Sequence, residues 1–196
     1  MAGLLVAING KPLASVSNSG LNIISVHVHG DVIGEEVAAL EIYGGLYGQG
    51  EADKHLIWVE NQEIAQDDEL EIAFVEDVST SHPGKTIEEL HPETASQEAS
   101  DQSMDELYKE LSERPRVREN FSFELVSPDG DEVSTSTESD DYSFQLGVMW
   151  RWHKPDVARV SLKSNTLEKI VNREDGSSHA AFNLQFGQKF TFRIVN

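Results

Sequence analysis

A mainly β protein, made of two sandwich-like antiparallel β modules or one elongated β-sandwich and joined by a helical, acidic connector, is the fold class that three observations predict. Short runs of alternating apolar and polar residues fill both ends of the 196-residue chain, and that alternation is the period of a half-buried strand. Glycines and Asn-Gly or Asp-Gly pairs punctuate the runs, and such pairs supply the positive-φ residues of tight hairpins. Between the two β-rich regions, residues 80–118 turn polar and carry helix-capping signals. The expected division is therefore 1–79, an acidic N-terminal β module; 80–118, a polar helical connector; and 119–196, a C-terminal β module with one short helix.

In chain order, residues 4–8, the Asn9-Gly10 turn and residues 12–17 predict a hairpin. Residues 21–29 follow as a longer strand with Ile24, Val26 and Val28 on one face and Ile23, Ser25, His27 and His29 on the other. Residues 37–43 suit a strand, or one helical turn over 35–40, and the glycine-rich stretch 44–50 predicts a loop. Strands over 55–59 and 69–76 close the first half. In the connector, Thr86 with Glu89 and Ser103 with Glu106 have capping-box spacing, which predicts helices over 87–90 and 104–114. Met104, Leu107, Tyr108 and Leu111 form a stripe on the second of these, expected to dock on a sheet. Residues 93–102 offer nothing larger than alanine to bury, so they are expected to be the most mobile internal segment.

The second half repeats the style of the first. Residues 121–126 and 132–137 flank the 128–130 turn, 142–153 alternate along a long strand, and 157–163 continue. A helix is expected over 165–171, with strands over 180–186 and 189–195. The alternation puts Trp150 and Trp152 on one face, read as core. His55 and His179 each introduce a closing pair of strands, and the matching succession of elements suggests a duplication.

Charge is distributed unevenly. The chain has 35 Asp and Glu against 15 Lys and Arg. Residues 1–113 hold 23 acids against four lysines, whereas residues 114–196 hold 12 acids against 11 cations. A surface of that sign repels phosphate backbones and speeds encounter with a basic protein, so the expected partner is a basic protein and not a nucleic acid. Glu60, Glu63, Asp67, Asp68, Glu69 and Glu71 form the expected partner-binding rim, with Tyr43 and Tyr47 as aromatic anchors. The absence of cysteine excludes thiol catalysis and thiolate metal sites and fits a reducing cytoplasm. The apolar run 4–8 lacks a preceding basic region and is too short for a membrane span, so no membrane partner and a cytoplasmic location are expected.

Two histidines carry the clearest chemical signal. His27 and His29 lie two apart on one strand, so both imidazoles leave the same face, an arrangement suited to two metal ligands. Glu35 follows six residues later, a spacing that resembles the first metal-binding motif of the cupins; the second cupin motif is absent. That resemblance implies a metal-dependent small-molecule enzyme as an alternative function. Otherwise there is no Gly-x-Ser-x-Gly elbow, no phosphate loop and no distinguished acid pair, so the chain is read as non-enzymatic and without a cofactor.

The segments His27-Val28-His29-Gly30-Asp31, His55-Leu56-Ile57-Trp58-Val59 and Pro83-Gly84-Lys85-Thr86-Ile87-Glu88-Glu89-Leu90 resemble stretches of small uncharacterised bacterial accessory proteins. The resemblance implies no particular active-site residue. By analogy with small, acidic, cysteine-free bacterial proteins, the leading expectation is a stoichiometric inhibitor or immunity protein for a basic effector or toxin. A structural or assembly subunit, a homo-oligomer pairing through its sheet edges, is the further alternative.

Overall fold

The computed structural model describes residues 1–48, 53–93 and 103–195. The first half supplies β1 (Gly3–Ile8), β2 (Lys11–Ser17), β3 (Ile23–Asp31), β4 (Ala38–Leu46), β5 (Lys54–Ile64) and β6 (Leu70–Val75). The connector holds α1 (Ile87–Leu90) and α2 (Met104–Glu113). The second half adds β7 (Ser122–Val126), β8 (Glu132–Ser136), β9 (Asp141–Arg151), β10 (Lys154–Thr166), α3 (Leu167–Asn172), β11 (Ser177–Gln185) and β12 (Lys189–Ile194). No helix among the described residues is long and apolar enough to cross a membrane.

Local chemistry accounts for most of these boundaries. Asn9 and Gly10 turn the first hairpin with φ of 52° and 72°, the left-handed pair that a type I′ turn requires. Both capping boxes close: the Thr86 and Ser103 backbone N–H groups each donate to the Glu three residues on, at 2.9 Å. In return the Glu89 and Glu106 backbone N–H groups donate to the Thr86 and Ser103 hydroxyls. Residues 35–40 form no helical turn, and Gly44 and Gly45 belong to β4 instead of a loop. The loop expectation fails because the glycines sit under other groups: a Cβ on Gly45 would lie 2.7 Å from the Tyr47 ring.

The strands form two antiparallel six-stranded sheets, ordered β2-β1-β6-β12-β7-β8 and β11-β10-β9-β3-β4-β5. Each half therefore contributes three strands to each sheet, and the halves meet edge to edge at β6–β12 in one sheet and at β3–β9 in the other. Matching β1–β6 with β7–β12 in order makes both strand orders read the same from either end. The registers agree: His27 opposes Glu41 in β3–β4, and Gly147 opposes Ser161 in β9–β10, residues 120 positions on in both cases. Leu4 and Val16 of the β1–β2 hairpin correspond to Phe123 and Thr135 of the β7–β8 hairpin, 119 positions on.

The core lies between the sheets. Leu4, Val6, Ile72 and Phe74 from one face Val26, Val28, Leu146 and Val148 from the other, each at most 1% exposed. Over the second half, Phe123 and Phe192 of the first sheet pack on Phe144 of the second, at centroid separations of 4.8 and 6.4 Å. Burying each such ring contributes about 1.5–3 kcal/mol. Trp150 joins this core at 3% exposure, but Trp152 does not, being 58% exposed. β9 ends at Arg151, and Trp152 and His153 make the hairpin tip to β10, so the alternation stops before it reaches the second tryptophan.

The connector straps one side of the sandwich. Ser81 N–H donates to the Ser15 carbonyl at 2.9 Å, and the Ser15 hydroxyl to the Ser79 carbonyl at 2.7 Å, along the edge of β2. A few residues on, Lys85 and Ile57 exchange backbone hydrogen bonds of 2.8 and 2.9 Å along the edge of β5. Part of each open edge on that side thus has partners within the chain, at Ser15 and Ser17 of β2 and at Ile57 of β5. α2 lies against α3, and Met104 and Tyr108 of its stripe are 40% and 41% exposed. Of residues 93–102, expected to be mobile, all but Glu93 lie outside the described residues.

Candidate functional site

The outer face of the second sheet is where the chemically distinctive side chains converge. Strand alternation turns Ile24, Val26 and Val28 inward, so Ser25, His27 and His29 stand outward on β3. Register then fixes their neighbours. His27 lies between Glu41 on β4 and Gly147 on β9, and Ser161 on β10 lies beyond Gly147. In the adjacent row Tyr43, Ser25, Met149 and Arg159 follow one another across β4, β3, β9 and β10, and on the opposite side Gln145 separates His29 from Lys163.

A groove of about 430 Å³ runs over this face. Its floor is low because Gly147 has no side chain between His27 and Ser161; a Cβ there would meet nothing nearer than the Ser161 hydroxyl at 3.7 Å. Arg151, Lys154, Arg159 and Lys163 line one side, Tyr43 and His27 the other, and no Asp or Glu is among the lining residues. Lys163 pairs with Asp175 at 3.2 Å, whereas Arg151, Lys154 and Arg159 form no ion pair among the described residues. The Ser25 hydroxyl and His27 Nε2, which both border the groove, are buried and without hydrogen-bond partners.

Beside the groove, His27, His29 and Glu41 bring one ligand atom each to within 4.8 Å of one another. The two imidazole rings are 5.4 Å apart between centroids, and His29 Nδ1 is also buried and unpartnered. Burial first, and then the adjacent His29, push the pKa of His27 below its ordinary 6.5 against the pull of Glu41 and Gln145. Glu35 is not part of this group: it sits exposed in the β3–β4 turn, where its carbonyl accepts from Arg118 Nη2 at 3.2 Å. His55 is on β5 and shares a hydrogen bond through Nδ1 with the Tyr47 hydroxyl at 2.5 Å.

The expected acidic rim is spread over several places and partly neutralised within the chain. Glu69 pairs with Arg193 and Glu71 with Lys189, both at 2.6 Å, and Glu71 raises the Lys189 pKa above its usual value. Asp68 accepts from the Asn9 side chain at 2.6 Å and from the Ala65 N–H at 2.9 Å, and Glu60 meets His91 at 2.6 Å. Glu63 and Asp67 are exposed and form no ion pair among the described residues. Tyr43 belongs to the groove on the second sheet, while Glu71 points outward from the first, so these do not share one surface. Tyr47 is held at the end of β4, its backbone N–H and carbonyl both bonded to the Asn22 side chain. Its pKa is raised by burial and then by Tyr43 and Asp53.

One further constellation contains the residue types of a nucleophilic triad. His179 Nε2 lies 2.8 Å from the Ser164 hydroxyl, which donates to Asp141 Oδ2 at 2.6 Å, and His179 Nδ1 lies 3.1 Å from the Thr135 hydroxyl. The order is wrong for acyl transfer, since the acid must orient the histidine and here it holds the serine. Ser164 is also 0% exposed. The network instead satisfies polar groups at the sandwich wall and ties β8, through Thr135, to the second sheet.

Glu41, Gly147, Arg159 and Lys163 are site residues that no sequence motif marks. Alternation marks each as outward-facing, but only the cross-strand register shows which of them are neighbours. No family model, no curated protein and no solved structure matches this chain.

Proposed function

We propose that the protein is a non-enzymatic binding protein whose groove on the second sheet takes up a small organic anion bearing a carboxylate or phosphate group. The observation that carries this reading is a groove lined by four Lys and Arg and no acid in a chain of net charge −20. Distant carboxylates are screened beyond about 10 Å at ~0.1 M salt, so the local potential is set by unpaired Arg151, Lys154 and Arg159 in the lining against Glu41, the one carboxylate beside His27. Their guanidinium forks match carboxylate and phosphate geometry. The buried, unpartnered Ser25 hydroxyl carries a desolvation penalty of about 1–3 kcal/mol, which a bound polar group would relieve. A volume of about 430 Å³ also falls in the range of small-molecule sites, roughly 300–1,000 Å³.

Calorimetric titration with inorganic phosphate, citrate and a sugar phosphate tests the reading. Saturable binding to one site is expected for at least one of them, weakening with salt and falling by about tenfold or more in an Arg151→Ala, Arg159→Ala double variant, the loss of about 1.5–3 kcal/mol expected for a charged hydrogen bond. Absence of binding by all three, or equal binding by the variant, removes the anion reading.

A second reading, the stoichiometric inhibitor or immunity protein for a basic effector, draws its support from the acidic balance and from the unpaired Glu63 and Asp67. It needs a basic partner captured from the native host. Reversal of Glu63 and Asp67 to lysine should then slow association, and added salt should do the same to the unaltered protein. An acidic partner, or association indifferent to both, would count against it.

A further inference from the structure

We infer that His27, His29 and Glu41 form a binding site for one divalent transition-metal ion on the outer face of the second sheet. Two histidines two apart on β3 project to one side, and register places Glu41 of β4 directly opposite the first, so the fold itself brings the three donors within 4.8 Å. A second observation points the same way: His27 Nε2 and His29 Nδ1 are buried and bonded to nothing. Buried imidazole nitrogens without partners are rare because the lost hydration is not recovered, and an ion would recover it. Two imidazoles and one carboxylate, with no thiolate, suit Zn²⁺, Ni²⁺, Cu²⁺ or Fe²⁺ in preference to Ca²⁺ or Mg²⁺. Tetrahedral Zn–N and Zn–O bonds of ~2.0–2.2 Å hold donors about 3.4 Å apart, so a donor pair 4.8 Å apart would close by about 1.4 Å, within reach of side-chain rotation.

On the β9 side little side-chain bulk stands next to His27. Gly147 lies across from His27 and carries no side chain, and Gln145 lies across from His29 as the nearest neutral neighbour on β9. A three-ligand site with open positions accepts an exogenous ligand, and the groove beside it would deliver one. Metal binding is nevertheless independent of the anion reading, because it rests on the three side chains alone.

The test uses the full chain, stripped with a chelator and titrated with Zn²⁺ by calorimetry and with Co²⁺ by visible absorption, with no anion added beyond a weakly coordinating buffer. One equivalent should bind, with thermal stabilisation. His27→Asn, His29→Asn and Glu41→Gln should each weaken it by at least the 10- to 100-fold typical of losing even an outer-shell partner, while Glu35→Gln should match the unaltered protein. The Glu41→Gln variant, nearly isosteric, decides the matter if a histidine variant loses its near-ultraviolet circular dichroism. No binding by the unaltered protein overturns the inference. So does equal binding by the Glu41→Gln variant or by folded histidine variants, which would mean loose association with surface carboxylates. Arg151→Ala with Arg159→Ala should leave Zn²⁺ affinity intact, so failure of the anion groove and failure of the metal site give different results.

Discussion

Replacing Gly147 separates the demands of folding from those of binding. Glycine in a strand interior costs roughly 0.5–1 kcal/mol relative to alanine, and at this position nothing in the fold requires it. Gly147 is not among the residues with positive φ, and its nearest neighbour to an added Cβ is the Ser161 hydroxyl at 3.7 Å, an ordinary contact. Gly147→Ala should therefore stabilise the protein by about 0.5–1 kcal/mol. At roughly 2–4 °C per kcal/mol for a chain of this size, that is a rise in Tm of about 1–4 °C. Urea unfolding should show the same gain as a higher midpoint at an unchanged slope. Gly147→Val, which sets a branched side chain on the groove floor beside His27, should fold equally well yet weaken anion binding. A destabilised alanine variant would refute the claim that the backbone tolerates a side chain there. A valine variant that binds the anion as before would refute the placement of the ligand above Gly147.

The other expectations concern the core, the polar wall and the histidines. Phe144→Ala, which removes the ring that Phe121, Phe123 and Phe192 all contact, should cost about 3–5 kcal/mol in chemical denaturation. Ser164→Ala strips a hydrogen bond from buried Asp141 and another from His179, and should cost about 1–3 kcal/mol; a neutral result would mean that water replaces the hydroxyl. In metal-free protein the His27 imidazole should titrate below 6.5 by NMR. A depressed folded-state value means that the folded protein binds fewer protons here than the unfolded chain, so the contribution of this site to stability is present above pH 6.5 and is lost as pH falls from 6.5 through the folded-state value. His27→Gln should flatten that part of the stability profile, and a titration at or above 6.5 would show that burial does not dominate at this ring.

The hairpins, capping boxes and long alternating strands were legible in the sequence because each is set by residues close in the chain. Asn9-Gly10 needs only its own backbone preference, and Thr86–Glu89 only one turn of helix. Trp152 departs from the expected core because the hairpin ends β9 at Arg151, a limit that the alternation of residues does not mark. Glu35 is near the histidines in sequence only, whereas Glu41 is the carboxylate that pairing carries to His27. The groove cations belong to β9 and β10 and the histidines to β3, so their meeting depends on the β3–β9 seam, a pairing between residues over a hundred positions apart that no local pattern encodes. Within the expected acidic rim, Glu60 and Glu63 fall on β5 of the second sheet and Glu71 on β6 of the first, since proximity in the chain between 60 and 71 does not place residues in one sheet.

The β3–β9 seam has a consequence for what two matched halves can build. Were either half to pair with an identical copy, the residue at the meeting point would face its own image: two imidazoles side by side, or two bare backbones with a hollow between them. Joined in one chain, the halves are released from that identity. The position is held by His27 on one strand and by Gly147, 120 residues later, on the other. One copy supplies a donor and the other supplies room for what the donor would hold, so a single lopsided cavity sits where symmetry alone would allow only a filled or an empty one.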